Sequence, residues 1–469
     1  MTVDAIRIQT LRGGESRSGA KYVLYWALIN RRLDSNQAFA YAVERANELG
    51  LPLLVYGGLT SSHRWANARM HQFVLEGVAG NRKRAADLGA GYFFYLRKTK
   101  ADPSDVLYRL AEDAALLVTD DYPGYMARQY NARVPEKIGI PYYAVDASCI
   151  VPMAEIGKQQ YAAYTIRPRI HKLLDKYLRP VVTPKIEHAW NKDCVVQHRD
   201  LDTEVVPRAI PKLVAECEID QTVPPVTELR GGRKAALALL DTFLHHNLRR
   251  YARQNREPSA KATSSLSSHL HFGYISSLEI ALAVKDYAQK HDLIAEEFLE
   301  QLIVRRELAF NFARYGPRPD KLSEALPDWA RKSLAKHDGD PRDYAYTREQ
   351  WERAETHDPL WNATQKQLLE EGIIHGYYRM YWGKKIIEWS ASHQEALDTI
   401  IYLNDRYALD GRDPNTYANI LWCFGLHDRP WKERPVFGMI RYMSAEGMRR
   451  KTDVPAYVNE YDPRQMSLT

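Results

Sequence analysis

The sequence predicts an α/β N-terminal domain with a parallel, Rossmann-like sheet, followed by an all-α C-terminal domain. Over roughly residues 20–150, short apolar runs alternate with segments of helical periodicity, which is typical of a parallel sheet covered by helices. After about residue 235, almost every segment has helical periodicity. The stretch between these regions is rich in proline and β-branched residues and has no sustained period, which favours a long surface connector. We therefore predict domains at 1–180 and 235–469, joined by a linker at 181–234.

The elements of the N-terminal domain follow one another in a regular order. The run "YVLYWALI" at 22–29 is continuously apolar, as expected of a buried parallel strand, and the polar helical segment after it closes with Gly50. A second strand, "LPLLVYGGL", comes next, and "NRKRAADLGAGYFFYLR" and "DVLYRLAEDAALLVTDDY" repeat the helix-then-strand order. Neither GxGxxG nor GxxxxGK with a following Ser or Thr comes after the first strand, so we expect no nucleotide site at that turn.

The composition indicates an ordinary globular protein. The chain has 469 residues, of which 45% are hydrophobic and 26% charged, enough for two domains with their own cores. No segment approaches the ~18 uninterrupted apolar residues of a membrane span, and the N-terminus is polar up to Tyr22, unlike a secretory signal. The four cysteines are far apart and lack metal-site spacing. We therefore expect a reduced, cytoplasmic protein with no membrane span and no metal.

The net charge of +6 is compatible with a nucleic-acid patch and equally with none.

A run of hydroxyl side chains precedes one helix of the C-terminal domain. It covers residues 263–268, "TSSLSS", and an apolar helical pattern follows it. The free N–H groups and the positive dipole end at a helix start suit an anion such as a pyrophosphate. Plain N-capping by serine and threonine explains the same pattern.

Two consecutive helices carry an unusual number of aromatic residues. In the first, Asp358 is a plausible N-cap, Pro359 fits the first helical position and Gly372 marks the end. The second, "GYYRMYWGKKIIEWS", places Arg379 and Trp382 on one face, together with a second tryptophan ~10 Å further along the axis. These rings could be simple core filler. A buried guanidinium nevertheless needs an anion or another partner.

A third segment interleaves charged and aromatic groups. The turn at 410–415 carries two carboxylates, and Asp410 is the natural candidate partner for Arg379. Beyond it, "LWCFGLHDRPWKERPVFGMIRYM" alternates tryptophans with arginines. This pattern can stack on bases and hold phosphates, or form a solvated loop whose tryptophans fill gaps.

Taken together, these stretches resemble the class II cyclobutane pyrimidine dimer photolyases. The matching motifs occur in the family's order and are "TSSLSSHLHFGYIS", "FLEQLIVRRELAFNF", "THDPLWNATQ", "GIIHGYYRMYWGKKIIEWS", "YLNDRYALDGRDPN" and "HDRPWKERPVFGMIRYM". The resemblance implies an N-terminal α/β domain with an optional light-harvesting chromophore and a helical domain that holds a folded FAD. It also implies that light drives an electron from reduced FAD to a pyrimidine dimer flipped out of DNA, which splits the cyclobutane ring.

The resemblance also implies which residues bind the flavin. The phosphate clamp corresponds to Tyr251 with Thr263, Ser264, Ser265, Leu266 and Ser267. The ion pair beside the isoalloxazine corresponds to Arg379 and Asp410. The side chain at flavin N5 corresponds to Asn404, with Asn415 as the second candidate.

Electron-transfer and DNA-binding residues follow from the same resemblance. The photoreduction relay corresponds, outward from the flavin, to Trp382, Trp361 and Trp389, with Tyr346 and Tyr381 as accessory donors. The lesion pocket corresponds to Met380 and Trp422. The groups that hold phosphates and fill the gap left by the flipped dimer correspond to Arg256, Arg429, Trp431 and Arg441. One position departs from the family, because Gln301 stands where a second acidic residue is common.

The resemblance predicts FAD as cofactor, with FADH⁻ as the active state, and a deazaflavin-type antenna as a possible second chromophore. The predicted partner is UV-damaged DNA that contains pyrimidine dimers, bound by a monomer with no membrane contact. Two alternatives stay open, a cryptochrome-like flavin photoreceptor and repair of the (6-4) photoproduct. The DNA-facing residues at 380, 422, 429, 431 and 441 favour repair over signalling.

Overall fold

Six strands form one sheet at the N-terminal end of the chain. The computed structural model describes residues 2–462. In the order β1-β6-β5-β2-β3-β4, all neighbouring strands are parallel except β1, which is antiparallel to β6. The predicted parallel α/β sheet is thus confirmed. The strands are β1 (Ile8–Arg12), β2 (Tyr22–Trp26), β3 (Leu53–Thr60), β4 (Gly91–Arg97), β5 (Ala114–Asp120) and β6 (Tyr142–Val145).

Strand β2 ends at Trp26, three residues before the end of the apolar run that predicts it. The carboxylate of Asp120, at the end of β5, accepts hydrogen bonds from the backbone N–H groups of Ile29 and Asn30, each at 2.8 Å. These bonds turn the chain away from the sheet after Trp26. A run of apolar residues alone cannot show this, because the turn depends on a side chain about ninety residues away.

Helices cover both faces of the sheet, which explains why its central strands are apolar throughout. The first seven helices are α1 (Gln37–Glu48), α2 (Ala68–Leu88), α3 (Val106–Glu112), α4 (Tyr125–Arg133), α5 (Met153–Ile156), α6 (Ala163–Tyr177) and α7 (Ile210–Ala215). On one face, Val23 and Tyr25 of β2 pack in one core with Phe39 of α1. On the other, Leu24 packs with Leu110 of α3.

The C-terminal part is built from helices. They are α8 (Arg233–Thr242), α9 (Leu248–Gln254), α10 (Ser267–His271), α11 (Ser277–His291), α12 (Glu296–Leu299), α13 (Arg306–Tyr315), α14 (Leu322–Ala325), α15 (Asp328–His337), α16 (Arg348–Glu352), α17 (Pro359–Glu371), α18 (Gly376–Trp389), α19 (His393–Tyr407), α20 (Pro414–Trp422), α21 (Ala445–Arg449) and α22 (Val454–Tyr461). Two π-helical segments, Phe243–Asn247 and Glu300–Arg305, join α8 to α9 and α12 to α13. Of the helices in the described residues 2–462, none is long and apolar enough to cross a bilayer.

The sheet and the helices share a tightly packed junction. Gly273 adopts φ +68°, and a Cβ at this position would lie 2.3 Å from the carbonyl oxygen of Ile29, so only glycine fits this approach. The buried guanidinium of Arg69 on α2 donates to the carbonyls of Leu368 and Tyr407, on α17 and α19. Helix α6 precedes the linker, but its Ile166 belongs to the same core as residues of the C-terminal helices. The domain boundaries at 180 and 234 stay predictions.

Candidate functional site

A buried ion pair lies between α18 and the turn after α19. Nη2 of Arg379 is 2.8 and 3.0 Å from the two carboxylate oxygens of Asp410. The two side chains are only 13% and 10% exposed. The hydroxyl of Thr416 donates to the carbonyl of Asp410 at 2.6 Å, which ties the turn to the start of α20. The pairing of these two residues agrees with the sequence, whereas their role toward a cofactor stays a prediction.

Several buried polar atoms near this ion pair have no partner among the described residues. They include Nε of Arg379 itself, Oδ1 of Asn404, and Nε2 of Gln365, whose Oε1 accepts from Trp382, one turn further along α18. Asn404 lies beside the turn, because a Cβ at Gly411 would be 3.2 Å from its Nδ2. A buried polar atom without a partner costs about 1–3 kcal/mol. Orphaned donors and acceptors in one region therefore indicate a polar ligand that would satisfy them.

The two candidate amides differ in their surroundings. Asn404 is 1% exposed, and its Nδ2 donates to the carboxylate of Asp405 at 3.3 Å. Burial raises the pKa of Asp405, which also accepts from the Tyr417 hydroxyl. Asn415 is half-buried in the first turn of α20, where its backbone N–H donates to the carboxylate of Asp413. The burial and the orphaned oxygen favour Asn404 over Asn415.

The hydroxyl run leads into α10 without capping it. This helix begins at Ser267, and its N-cap residue, Leu266, makes no side-chain capping bond. Thr263, Ser264 and Ser265 are half-buried, with Ser265 in a left-handed conformation at φ +54°. The ring of Tyr251 packs against Phe243 and Phe298, and burial raises its pKa to about 12. The proposed clamp residues thus have no N-capping role at α10, and their binding role stays a prediction.

The first two tryptophans of the predicted relay are stacked. The rings of Trp361 and Trp382 are 6.3 Å apart between centroids, with 7° between their planes. The indole N–H of Trp361 donates to the carbonyl of Trp382 at 3.0 Å, and that of Trp382 donates to Oε1 of Gln365 at 2.9 Å. The N-cap Asp358 accepts from the N–H groups of Leu360 and Trp361, which fixes the first turn of α17, where Trp361 lies.

The third predicted tryptophan belongs to an outer aromatic cluster. Trp389 has ring contacts with Tyr346 at 5.8 Å and with His357 at 4.6 Å. The other accessory donor, Tyr381, is fully buried on α18, and its hydroxyl donates to the carboxylate of Asp358. Sequence reasoning missed Trp351 of α16, whose ring is 4.8 Å from that of Trp361. Its only signal is a single tryptophan in the polar stretch "TREQWERAE", outside the recognised motifs.

Arginines and tryptophans meet at the surface near the end of α20. The guanidinium of Arg441 lies 5.6 Å from the Trp422 ring and 5.0 Å from the Trp431 ring. Arg429 lies 5.1 Å from the same Trp431 ring, which is 38% exposed. Met380 is half-buried on α18, one turn before Lys384. The ammonium group of Lys384 lies 5.3 Å from the centre of the Trp422 ring. Four of the predicted DNA-binding residues therefore form one cationic and aromatic surface.

Two further predicted residues are exposed on other elements. Arg256 lies in the loop that follows α9. Gln301 lies in the π-helical segment before α13. Its neighbour Glu300 forms an ion pair with Arg167 of α6 at 2.6 Å. Their roles toward DNA stay predictions.

Comparison with known proteins identifies the family. A family model described as DNA photolyase matches residues 23–186. The deoxyribodipyrimidine photo-lyase of Methanothermobacter thermautotrophicus is 37% identical over 97% of this chain and 98% of its own length. The chain belongs to the DNA photolyase family. The enzyme of the same name from Oryza sativa subsp. japonica is 39% identical over 97% of this chain and 90% of its own length.

The fold agrees with this membership. A bacterial class III photolyase from Agrobacterium tumefaciens superposes with a TM-score of 0.69, at 16% identity, over 96% of this chain and 88% of its own. The predicted membership of the photolyase family and the predicted α/β plus all-α architecture are thus confirmed, whereas the assignment to class II stays a prediction. Membership of the DNA photolyase family implies a flavin cofactor. The residues fit one, because the orphaned donor of Arg379 and the orphaned acceptor of Asn404 are the groups that a flavin ring would satisfy.

Proposed function

We propose that this member of the DNA photolyase family uses light and bound FAD to split cyclobutane pyrimidine dimers in DNA, in the manner of the class II enzymes. The observation that carries the proposal is the buried Arg379–Asp410 pair, with its orphaned polar neighbours, beside a stack of indoles. When bound in its reduced form, FAD supplies the photoexcited electron that opens the cyclobutane ring.

The chain's own residues would bind and orient the ring. Arg379 pairs with Asp410 through Nη2, and its free Nε–H is available as a donor. Asn404 offers an acceptor at Oδ1, and its amide cannot take up a proton at neutral pH. Because both groups are buried, water is excluded from them, which strengthens each hydrogen bond to a ligand. The residues from Thr263 to Ser267, with Tyr251, would hold the phosphates.

DNA would bind across the surface formed by Arg429, Trp431 and Arg441. Arginines supply the salt-dependent attraction to phosphates, and an exposed indole can stack on a base. Flipping a nucleotide costs a few kcal/mol of unstacking, and least for a damaged base, which favours the lesion over normal DNA. Trp422 and Met380 would line the pocket for the flipped dimer.

Three finer properties belong to the same proposal. We propose that the enzyme acts as a monomer in the cytoplasm, in contact with the genome. A deazaflavin-type chromophore is the antenna that we propose for the α/β domain. Trp382, Trp361 and Trp389 would return electrons to FAD when it is oxidised, with Tyr346 and Tyr381 as further donors.

The decisive experiment combines a spectrum with a repair assay. The purified protein should show flavin absorption, and after chemical reduction it should restore normal thymines in an oligonucleotide that carries one defined cyclobutane dimer, only under blue light. A parallel oligonucleotide with a (6-4) photoproduct should stay unrepaired. Full flavin content without repair of either lesion would instead favour a photoreceptor, and a protein that binds no flavin would refute the proposal altogether.

A further inference from the structure

Trp351 fills the space between the inner and outer parts of the predicted relay. It lies on α16, whose first turn is fixed by a capping box between Thr347 and Gln350. The side chain is 1% exposed. Such complete burial within a cluster of other rings distinguishes this residue from a surface tryptophan.

Ring contacts connect Trp351 to the inner tryptophan Trp361 and to the outer rings of Trp389 and Tyr346. Its centroid is 4.8 Å from that of Trp361, at an interplanar angle of 61°. It is also 6.1 Å from that of Trp389, with only 10° between the planes, and 5.0 Å from Tyr346. Within residues 2–462, no ring contact joins Trp361 directly to Trp389. The continuous path of touching rings from Trp382 to the outer cluster therefore passes through Trp351.

The outer cluster, which consists of Trp389, Tyr346, His357 and Tyr344, contains a tyrosine that can be oxidised with loss of its proton. The Tyr346 oxygen lies 2.5 Å from Nδ1 of His357 and accepts from the backbone N–H of the same residue, so its own proton points to Nδ1 when the imidazole carries its proton on Nε2. Partial desolvation lowers the pKa of His357, which favours the neutral ring with a free Nδ1. Tyr344, which is 46% exposed, stacks on the same imidazole at 3.6 Å between centroids. The cluster thus reaches from the buried indoles to solvent.

We propose that Trp351 is a fourth redox-active indole, which carries the electron vacancy from Trp361 to Trp389 and Tyr346. The inference rests on the proposed function. Each step moves one electron inward. Trp382 donates to the photoexcited oxidised flavin, Trp361 refills Trp382, Trp351 refills Trp361, and Trp389 or Tyr346 refills Trp351. Oxidation of Tyr346 transfers its hydroxyl proton to Nδ1 of His357. A thiol in solution then gives one electron to the tyrosyl radical, which takes the proton back from His357, and the thiol is oxidised to a disulfide.

The test compares Trp351→Phe with the unaltered holoenzyme and a matched control. Phenylalanine keeps much of the bulk but is far harder to oxidise. The control Trp26→Phe removes a buried indole from β2, in a different core. We expect normal flavin content in both variants. With a thiol as donor, photoreduction in Trp351→Phe should be slower by at least about tenfold, and the transient tryptophan radical absorption should decay faster because the vacancy recombines before it reaches Trp389.

Two further measurements separate a redox role from a structural one. Trp351→Tyr restores an oxidisable ring, so its photoreduction should lie between those of the phenylalanine variant and the unaltered protein. In flavin-free protein, Trp351→Phe and Trp389→Phe should each lose the near-UV circular dichroism that arises from coupling of the two stacked indoles, whereas Trp26→Phe should keep that signal and lose only its own contribution. Equal photoreduction and radical lifetimes in all three forms at position 351 would overturn the inference.

Failure of this inference can be distinguished from failure of the proposed function. Trp351→Phe that is chemically reduced beforehand should repair dimers as the unaltered enzyme does, because the relay is then bypassed. Absence of repair in the unaltered, reduced holoenzyme would count against the proposed function. Normal repair together with unaffected photoreduction in Trp351→Phe would refute the role of this indole alone.

Discussion

The indole of Trp382 lies 6.3 Å from that of Trp361 and within 7° of parallel to it, and both are buried. Stacked, dry rings at this separation suit transfer of an electron, because neither ring needs to rearrange water when its charge changes. The Trp361 side chain is also fixed to α18, since its indole N–H donates to the backbone carbonyl of Trp382. This pair is the part of the structure on which the first prediction depends.

Replacing Trp382 with phenylalanine should block photoreduction of oxidised FAD but spare repair by chemically reduced enzyme. The physical reason is that the variant loses the inner electron donor without losing the binding site for the dimer. Photoreduction is followed from the bleaching of the oxidised flavin band, and repair from the recovery of thymine absorbance. Equal loss of both activities would contradict the assignment of Trp382 to the relay.

Removing the charge of Asp410 should weaken flavin binding and destabilise the protein. In Asp410→Asn, the guanidinium of Arg379 stays buried without its anion, and breaking a buried pair in this way costs about 3–5 kcal/mol. The measurements are the flavin-to-protein ratio and the free energy of unfolding. Asp286→Asn is the matched control, because its ion pair with Lys290 is exposed and should be worth less than about 1 kcal/mol. Similar losses in the two variants would contradict a special role for the buried pair.

Replacing Gln301 with glutamate should change the efficiency of repair or its pH dependence. The amide of Gln301 can donate a hydrogen bond to a dimer but offers no titratable proton. A carboxyl group at this exposed position would add one. Repair quantum yield is measured from pH 5 to 9 on the same oligonucleotide for both proteins. Identical yields and identical pH profiles would show that the position has no such influence.

Loss of Arg441 should weaken DNA binding mainly through its electrostatic component. Its guanidinium lies between the rings of Trp422 and Trp431, so Arg441→Ala removes a cation without removing the aromatic surface. Affinity for damaged duplex should fall, and the slope of log affinity against log salt should decrease by about 1. Lys83→Ala on α2 is the control, since its side chain is 76% exposed on the α/β part. An unchanged salt slope in Arg441→Ala would place the DNA elsewhere.

Local signals in the sequence were sufficient for some parts of this site. Asp358, Pro359 and Gly372 mark the start and end of α17, because capping chemistry depends on neighbouring residues only. The Arg379–Asp410 pair also follows from a simple requirement, since a buried cation needs an anion. The sheet could also be predicted, because the alternation of apolar and helical segments is a local pattern along the chain.

Other parts depend on contacts between distant segments and could not be predicted. Helical periodicity assigns Trp382 to a face of α18, but it cannot show which ring of another segment will touch Trp361 or Trp389. Trp351 comes from a short helix in a polar stretch, and only folding brings it between them. The end of β2 was missed for a similar reason, because Asp120 acts across the sheet.

Glu307 should make the stability of the protein depend on pH. Burial raises its pKa to about 8, while Oε1 accepts from the N–H groups of Ile150 and Val151 and Oε2 has no partner in the described chain. Between the ordinary value of 4.5 and about 8, the folded protein keeps a proton that the unfolded chain has lost. The contribution of this group to stability is therefore fully present below pH 4.5 and is lost as pH rises to 8, by up to about 1.4 kcal/mol for each pH unit.

In Glu307→Gln, the amide oxygen can still accept both N–H bonds and nothing titrates. The free energy of unfolding of the unaltered protein should accordingly fall relative to that of the variant across urea titrations at pH 5, 6, 7 and 8. A difference that stays constant over this range would mean that Glu307 is ionised in the folded protein at all four pH values.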